Sequence, residues 1–383
     1  MRTLVVSDLH LGSRTRTDLL RREELRAPLL AAAADVDRVV LLGDVLELRH
    51  GPMREALAAA RPFFADLGRT LDGRELVLVA GNHDHALVEP WLAERGREHE
   101  PPPLGVEQLL DPARVSPALE QIARWALPAV ARVAYPGLWL RDDVYATHGH
   151  YLDAHLTMPT LERLSIGAMC RVLARPATAF AAVGDYEAVS APLFAWRDAV
   201  ARDAATGAVL NGMATASAWS ALTGSGQRNG RPRDSLRRRA RRRVLVALFP
   251  AAVAALNRAG IGPLRADLSL TELRRAGLAA MGEVAARLDL GDAYVVFGHT
   301  HRAGPLAGDP RTEWRGRGAA RLVNAGSWTY SRFFLDGQPG VSPYWPGTGV
   351  LIEDDGPPAV VQLLGDRTHQ QLAPPPRGRL SAH

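Results

Sequence analysis

The sequence predicts a mixed fold of the α/β or α+β class, in which helices cover a sheet and a long helical segment interrupts the strands. Short apolar runs alternate with helical patterns through residues 3–80, at the spacing typical of βαβ units. Residues 138–147 have the pattern of a β-hairpin, and strand patterns return at residues 293–364 after a stretch rich in alanine and arginine. With 383 residues, 47% hydrophobic and 23% charged, the chain has a globular composition, which excludes a mainly disordered or collagen-like architecture.

The N-terminal strands are apolar at consecutive positions, as expected where both faces of a sheet are covered. They are predicted at residues 3–7, 38–42 and 75–80, with helices between them at residues 18–34 and 53–71. A proline-rich loop at residues 100–103 precedes a helix predicted at residues 117–133. The hairpin that follows is expected to turn at Asp142 and Asp143, where a more antiparallel layer begins.

Residues 151–290 are predicted to form a helical insertion within the strand-rich domain. Ser269 and Glu272 form a capping-box pattern that opens a helix, and residues 223–232 have the composition of a flexible loop. The final residues, 366–383, include three consecutive prolines and no apolar pattern, and are predicted to be disordered. The strand-rich domain therefore spans residues 1–150 and 291–365, with its last strands at residues 293–297, 321–324, 349–353 and 359–364.

The cysteine content, the charge and the longest apolar run indicate the cellular compartment in which the protein is expected. A single cysteine, Cys170, excludes an internal disulfide framework and any CxxC metal motif, which favours a reducing compartment. All 46 basic residues are arginine, so a GC-rich genome is the simplest explanation of the formal charge of +5. No signal-peptide pattern precedes the first predicted strand, and the longest apolar run, residues 244–256, is too short to span a bilayer. We therefore expect a cytoplasmic protein, with peripheral membrane contact left open.

Five short polar motifs each follow a predicted strand. Because the carboxyl ends of neighbouring strands meet at one crevice of an α/β sheet, these motifs can converge although they are far apart in the sequence. The first three are separated by 36 residues, from Asp8 to Asp44, and by 38 residues, from Asp44 to Asn82, which fits one βαβ unit each. The motifs are Asp8-Leu9-His10, Gly43-Asp44, Gly81-Asn82-His83-Asp84, His148-Gly149-His150 and Gly298-His299-Thr300-His301.

Carboxylates, an amide and several imidazoles in one crevice indicate a metal site, because buried carboxylates need compensating positive charge. A mixed set of nitrogen and oxygen ligands suits manganese, iron or zinc better than calcium, and the lack of thiolates argues against a structural zinc site. A shared carboxylate can bridge two ions about 3.5 to 4 Å apart, and Asp44 is the candidate for that position. A chance collection of turn-forming residues would leave the histidines unexplained.

In this order the five motifs resemble those of the calcineurin-like metallophosphoesterases, and the resemblance covers residues 1–147 and 293–364. It implies a four-layer α/β/β/α sandwich, in which two sheets are flanked by helices. It also implies two divalent metal ions, manganese being expected and iron or zinc being alternatives. The first ion would be held by Asp8, His10, Asp44 and His301, and the second by Asp44, Asn82, His148 and His299.

The same resemblance implies a hydrolytic mechanism. A hydroxide bridging the two ions would attack phosphorus, and His83 would protonate or stabilise the leaving oxygen. Asp84 corresponds to the carboxylate that orients His83 and sets its tautomer. His150, two residues beyond a metal ligand, is a candidate for substrate contact, and the alternative is a place outside the substrate site.

We therefore expect a phosphoesterase that hydrolyses a phosphodiester, a pyrophosphate or a phosphomonoester, with the insertion at residues 151–290 selecting the substrate. The position of the insertion is similar to that in UDP-2,3-diacylglucosamine pyrophosphatases, which act on a lipid-linked nucleotide sugar. Those enzymes are expected to carry arginine in place of His83 and aspartate in place of His150, so a different small-molecule or lipid-linked ester is expected here. The sequence leaves the oligomeric state open.

The alternatives to this function are a nuclease and a non-catalytic scaffold. A nuclease of the same superfamily is supported only by the net positive charge, which the arginine bias already explains, so nucleic acid is not the expected partner. A non-catalytic scaffold that binds other proteins would be expected to lose ligands or the catalytic histidine, and here all of them are present. The basic run at residues 237–243 beside the apolar residues 244–256 indicates a solvated helix face. Contact with an anionic membrane, or with nucleic acid or another phosphate-rich partner, is the alternative.

Overall fold

Two β-sheets lie at the centre of the protein in the computed structural model, which describes residues 1–202, 236–335 and 340–374. The larger sheet contains seven strands and the smaller sheet contains four. In chain order the strands are β1 (Thr3–Val6), β2 (Arg38–Leu42), β3 (Glu75–Val79), β4 (Leu109–Leu110), β5 (Val130–Ala134), β6 (Gly137–Arg141), β7 (Val144–Thr147), β8 (Tyr294–Phe297), β9 (Arg321–Asn324), β10 (Thr348–Ile352) and β11 (Ala359–Gln362).

Helices cover the outer faces of the sheets. Helix α2 has the bounds that the sequence predicts, and its apolar side buries Phe63, Phe64 and Leu67. In chain order the α-helices of the described residues are α1 (Glu23–Ala34), α2 (Met53–Leu71), α3 (Glu89–Arg95), α4 (Pro112–Val115), α5 (Pro117–Trp125), α6 (Leu161–Val172), α7 (Val183–Arg202), α8 (Leu236–Arg258), α9 (Leu270–Arg287) and α10 (His369–Leu372).

Parallel pairing brings together the ends of the strands that carry the polar motifs. In the larger sheet the order is β11-β10-β1-β2-β3-β5-β4, and β1, β2, β3 and β5 run parallel. In the smaller sheet the order is β6-β7-β8-β9, and β7, β8 and β9 run parallel. A polar motif begins within two residues after each of β1, β2, β3, β7 and β8. The carboxyl ends of these five strands therefore bring the motifs to a common region.

Three apolar cores separate four layers of structure. Alternate residues of β2 face opposite sides of the larger sheet, because side chains alternate along a strand. Val39 belongs to the core shared with α1 and α2, whereas Val40 belongs to the core shared with the smaller sheet. On its other face the smaller sheet contributes Val295 and Phe297 to a third core, which also contains Met281 of α9. Helices, two sheets and helices follow one another, which confirms the predicted four-layer fold class.

The prediction of a helix at residues 117–133 is wrong in its second half. Helix α5 begins after Ser116, whose hydroxyl caps the first turn, and it ends at Trp125. Pro128 follows three residues later, and proline cannot continue a helix because it lacks an amide hydrogen. Residues Val130–Ala134 then form β5, which pairs in parallel with β3. The predicted hairpin is confirmed, since β6 and β7 are antiparallel neighbours.

Between β7 and β8 the described residues form helices and no strand. Helix α9 begins at its predicted cap, where the Ser269 hydroxyl accepts a hydrogen bond from the N–H of Glu272 at 3.1 Å. The loop predicted at residues 223–232 lies outside the described residues, as do the side chains of the basic run at residues 237–243. No helix in the described parts of the chain is both long enough and apolar enough to cross a membrane.

The disorder predicted for residues 366–383 is wrong at the start of that segment. Residues His369–Leu372 form α10, which begins with a capping box between Thr368 and Gln371. Leu372 is only 1% exposed, because it packs into the core between the larger sheet and its helices. The segment is also held by Arg22, whose guanidinium donates to the carbonyls of Gln371 and Leu372 at 2.8 and 3.0 Å. Residues 375–383 lie outside the described part of the chain.

Candidate metal centre

The polar motifs adopt an uncommon backbone conformation at the strand ends. Five of the seven predicted ligands have φ angles between 45° and 66°, in the left-handed region that residues other than glycine rarely occupy. Such conformations cost about 1 to 3 kcal/mol each and cluster at functional sites. The turns after these strands therefore use backbone conformations that cost stability, which indicates a functional role for them. The five ligands are Asp8, His10, Asp44, His299 and His301.

Glycine is required at two positions beside these ligands. A Cβ atom at Gly43, whose φ is 80°, would lie 2.4 Å from the ring of His148. A Cβ atom at Gly81 would lie 2.3 Å from Oδ1 of Asp44. Both separations are far inside van der Waals contact. The glycines of the Gly-Asp and Gly-Asn motifs therefore allow a ring and a carboxylate to approach the backbone closely.

The first group of ligands contains Asp8, His10 and His301. The Nε2 atoms of His10 and His301 lie 3.3 Å apart. Oδ1 of Asp8 lies 3.1 Å from Nε2 of His301 and 3.8 Å from Nε2 of His10. This oxygen is buried and, despite its short distance to His301, accepts no hydrogen bond of good geometry from the described residues. Two ring nitrogens and an oxygen directed at one space form the arrangement expected around a cation.

The second group contains Asp44, Asn82, His148 and His299. Oδ2 of Asp44 lies 3.3 Å from Nε2 of His148. Oδ1 of Asn82 lies 3.2 Å from the same nitrogen and 3.1 Å from Nδ1 of His299. The Asn82 side-chain amide thus lies between the two rings, where its oxygen could be directed at a cation together with their nitrogens.

Asp44 connects the two groups. Its Oδ1 accepts a hydrogen bond from the N–H of His83 at 2.7 Å, which fixes the carboxylate. Its Oδ2 lies 3.7 Å from Nε2 of His10 and 3.3 Å from Nε2 of His148. One buried oxygen thus lies near ring nitrogens of both groups, where it could be shared if each group held a cation.

Each ligand histidine is held through its second ring nitrogen. Metal-binding histidines usually donate their other N–H to a carboxylate, carbonyl or hydroxyl, which fixes the ring orientation and the tautomer. All four of these rings have such a partner. The partners are Glu47 for His10 at 3.0 Å, the Leu42 carbonyl for His148 at 2.9 Å, Asp153 for His299 at 3.0 Å and the Thr329 hydroxyl for His301 at 3.3 Å.

The charges in the crevice shift several pKa values. Burial would raise the pKa of Asp44, but the imidazoles of His148 and His83 outweigh burial and hold this pKa well below its usual range. Burial also disfavours the charged form of His148, yet Asp44 raises the pKa of that ring to about 9. Without a cation, Asp44 is therefore ionised and His148 protonated at neutral pH. Metal binding would displace such protons and supply the positive charge in their place.

The donor set fits divalent cations. Asp8, His10 and His301 form one group whose ligand atoms all lie within 4.8 Å of one another, and Asp44, His148 and His299 form another. Asn82 adds an amide oxygen to the second group. Nitrogen and oxygen donors without a thiolate suit manganese, iron or zinc. The structure thus brings all seven predicted ligands together, and the identity of the metal is left to experiment.

His83 lies beside both groups, and one of its ring nitrogens lies within 4.8 Å of ligand atoms of His10 and Asp44. Its side chain is 19% exposed, and its Nε2 lies 4.0 Å from Oδ2 of Asp44. Its Nδ1 lies 3.0 Å from both carboxylate oxygens of Glu47. Burial and the positive charge of Arg49 lower the pKa of His83 to about 4. The neutral ring therefore donates from Nδ1 to Glu47 and directs Nε2 toward the crevice.

The prediction that Asp84 orients the ring of His83 is wrong. The Asp84 carboxylate accepts hydrogen bonds from the backbone N–H groups of Gly81 and Val45, each at 2.7 Å, and of Leu46 at 3.1 Å. It therefore ties the loop after β3 to the loop after β2. Burial and the nearby charge of Asp44 raise the pKa of Asp84 to about 6. Because both of its oxygens are used by backbone groups, Glu47 is the carboxylate that contacts His83.

The ring of His150 lies beside that of His148, with centroids 5.6 Å apart, and His150 belongs to neither ligand group. Its side chain is 3% exposed, and neither ring nitrogen has a hydrogen-bond partner among the described residues. The ring packs against Tyr151 and Phe194, with centroids 4.6 and 5.6 Å away. Burial and the nearby charge of His148 keep the pKa of His150 well below its usual value. Contact between His150 and a substrate stays a prediction.

The sequence analysis missed two buried acids that hold histidines of the site. Glu47 contacts both His10 and His83, and Asp153 contacts His299. Glu47 stands three residues after Asp44, and Asp153 stands three residues after His150. An acidic residue shortly after a ligand motif is the signal that could have identified them. The ligands were predicted from polar motifs that directly follow strands. Neither Glu47 nor Asp153 directly follows a strand, so neither was identified in that way.

The family comparison agrees with this geometry. Residues 1–166 match the family model described as calcineurin-like phosphoesterase. No curated protein matches the chain. The matched segment contains the first four polar motifs and ends before the fifth, Gly298-His299-Thr300-His301. The fifth motif reaches the same site because β8, which precedes it, pairs in parallel with β7.

Proposed function

We propose that this chain, whose residues 1–166 belong to the calcineurin-like phosphoesterase family, hydrolyses phosphate esters with the help of two divalent metal ions. The position of Asp44 carries the proposal, because its Oδ2 lies 3.7 and 3.3 Å from ring nitrogens of the two ligand groups. When bound, the ions would supply an activated water and neutralise charge on the phosphoryl group. One ion would be held by Asp8, His10, Asp44 and His301, and the other by Asp44, Asn82, His148 and His299.

His83 would act on the leaving group. Glu47 holds its Nδ1, so Nε2 is the nitrogen available to a substrate. An anionic phosphate ester beside the ring would favour the protonated form, because an opposite charge raises the pKa of an imidazole. The protonated Nε2 could then donate to the leaving oxygen, a step that typically contributes about 10² to 10⁴ in rate.

Helix α7 supports a role of residues 151–290 in selecting the substrate. It packs against the single turns Leu48–His50 and His85–Leu87, which lie next to Glu47 and Asp84 in the sequence. Phe194 of α7 has its ring centroid 5.1 Å from that of His85. The insertion thus contributes side chains next to the metal centre. The proposed substrate is a phosphodiester, a pyrophosphate or a phosphomonoester.

The remaining expectations stay predictions from the sequence. They concern manganese as the bound metal, a cytoplasmic location, membrane contact through residues 237–256 and the absence of a nucleic-acid partner. The scaffold alternative is less consistent with the described site, because all seven ligands, His83 and its partner Glu47 are present. Metal analysis of the purified chain tests the expectation of manganese, and an activity assay on the same protein tests the scaffold alternative.

Hydrolysis of bis(p-nitrophenyl) phosphate and p-nitrophenyl phosphate, with and without manganese, tests the proposal. We expect manganese-stimulated turnover that is lost together with bound metal in Asp44→Asn, by more than the roughly 10²- to 10⁴-fold that loss of a general acid causes. Asp72→Asn is the matched control, because Asp72 also has a positive φ, of 43°, but is an exposed helix cap. Full activity in Asp44→Asn, or equal losses in the two variants, would overturn the assignment of the bridging ligand.

A further inference from the structure

Arg49 lies beside the metal centre without being a ligand. Its Nη2 donates a hydrogen bond to the backbone carbonyl of Asn82 at 2.6 Å. With the Asn82 amide oxygen directed at the ligand histidines, the amide nitrogen lies 3.1 Å from both Nη1 and Nη2, and this nitrogen is a donor that cannot accept from the guanidinium. The Nε of Arg49 is buried and has no hydrogen-bond partner among the described residues. The guanidinium therefore adjoins a metal ligand with a donor still unused.

Arg49 also lacks a carboxylate partner within 4.0 Å in the described part of the chain, although many other arginines there have one. A half-buried guanidinium is stabilised by an anion, and planar guanidinium groups match the oxygens of phosphate through paired hydrogen bonds. The neighbouring ligand groups are where a phosphate ester would bind under the proposed function. The charge and position of Arg49 thus suit a second anionic group of the same substrate.

Helix α7 brings a second guanidinium to this region. Phe194 and Arg197 are three residues apart and share one face of the helix. The ring of Phe194 lies 5.6 Å from Cζ of Arg49, so this face is directed at Arg49. Burial lowers the pKa of Arg197, and the positive charge of Arg49 lowers it further. The contact between Phe194 and Arg49 thus places Arg197 on the face of α7 that is directed at Arg49, where one anionic group could pair with both guanidinium groups.

Arg197 is held in place by the insertion itself. Its Nη1 lies 3.5 Å from Oε1 of Glu162, and its Nη2 donates to the Ser165 hydroxyl at 3.2 Å, both on α6. Its side chain is only 13% exposed. Burial would raise the pKa of Glu162, but Arg197 and Arg49 outweigh it and lower this pKa. Arg197 is thus fixed by α6 on the helix face that contacts Arg49, and Glu162 supplies one negative charge near the two positive ones.

We infer that Arg49 and Arg197 form a binding subsite for a second phosphate group, so that the preferred substrate is a pyrophosphate ester rather than an ester of a single phosphate. The inference rests on the proposed function, since the metal centre would hold the first phosphate. It assigns a specific role to the insertion, because Arg197 belongs to α7. A charge-assisted hydrogen bond of this kind contributes about 1.5 to 3 kcal/mol, which corresponds to roughly 10- to 100-fold in affinity.

The test compares AMP and ADP as competitive inhibitors of manganese-dependent hydrolysis of bis(p-nitrophenyl) phosphate. We expect ADP to have an inhibition constant at least tenfold below that of AMP in the unmodified chain. Arg49→Gln and Arg197→Gln should each raise the ADP constant by about tenfold or more relative to the AMP constant. Arg197→Lys, which keeps the charge, should restore part of the difference. Arg124→Gln, an exposed helical arginine near Glu120, is the control and should change neither constant.

Equal inhibition by AMP and ADP in the unmodified chain would overturn the subsite, as would variants that weaken both inhibitors equally. Calorimetric titration of AMP and ADP into the manganese-loaded protein gives the same comparison without catalysis. If hydrolysis is absent but ADP still binds more tightly than AMP, the proposed function fails and the subsite stands. If hydrolysis is present and the two nucleotides bind equally, the subsite alone fails.

Discussion

The metal centre and the contact that helix α7 makes beside it compensate buried charge in different ways. In the metal centre, the carboxylates of Asp8 and Asp44 face imidazoles, and Oδ1 of Asp8 accepts no hydrogen bond of good geometry from the described residues. In the α7 contact, the buried carboxylate of Glu187 accepts hydrogen bonds from the hydroxyls of Tyr135 and Tyr151 at 2.6 and 2.5 Å. The first arrangement calls for a cation from outside, whereas the second is satisfied within the chain.

This difference predicts which substitutions should lower catalytic activity and which should lower the stability of the fold. Glu187 also lies 3.3 Å from Nε2 of His85, so α7 is attached to the loop that carries Asn82 and His83. Hydrogen bonds to a buried carboxylate stabilise the fold whether or not metal is present. We therefore expect variants of the metal centre to lose activity with little loss of stability, and variants of the α7 contact to show the reverse.

Outside the seven predicted ligands, the largest effect that separates the two regions is expected for His83→Ala. Metal content should stay at the unmodified level, because His83 is not among the seven ligands, while turnover should fall by about 10² to 10⁴. Metal analysis and steady-state kinetics on the same preparation measure both quantities. His99→Ala, an exposed histidine, is the control. Unchanged turnover on an ester with a poor leaving group would remove His83 from the mechanism.

A smaller effect is expected for Glu47→Gln, which changes the partner of both His10 and His83. Loss of a carboxylate that orients a metal-binding histidine typically weakens metal affinity by about 10- to 100-fold. Metal titration followed by activity at saturating metal separates weaker binding from slower turnover. The exposed Glu55→Gln serves as the control. Metal affinity equal to that of the unmodified chain would show that His10 is positioned without Glu47.

The corresponding change in the α7 contact is Glu187→Gln, for which the smallest effect is expected. The amide keeps an oxygen that can accept from Tyr135 and Tyr151 but loses the charge, so we expect about 1 kcal/mol of destabilisation with metal content unchanged. Urea denaturation of the metal-loaded protein measures the loss, with the exposed Glu120→Gln as the control. A loss of bound metal without a change in stability would contradict the proposed division between the two regions.

The strand-end motifs made much of this site predictable from the sequence. Asp8, Asp44 and Asn82 follow apolar runs at βαβ spacing, and the parallel order of β1, β2 and β3 places them together as expected. The bounds of α2 and the cap at Ser269 were also predictable, because both depend on neighbouring residues. The helix expected at residues 117–133 failed because pairing between β3 and β5 outweighed the local pattern.

The roles of the buried acids were not predictable in the same way. Asp84 is adjacent to His83 in the sequence, yet its carboxylate is bound by the backbone of two loops. Glu47 is 36 residues before His83 and is the acid that contacts the ring. Sequence adjacency indicates which residues share a loop, but it does not determine which way a side chain turns. Only packing between loops decides that direction.

The sequence by itself determined which polar residues stand at the ends of the strands, because each motif directly follows an apolar run that pairs in parallel with its neighbours. The tertiary structure alone decided the contacts between distant segments: Glu47 with His83, Asp153 with His299, Glu187 with Tyr135, and Arg197 near Arg49. These pairs join residues up to 148 positions apart, as with Arg49 and Arg197. The physical reason is that hydrogen bonds and charge interactions act over a few ångströms, and the fold determines which residues come that close.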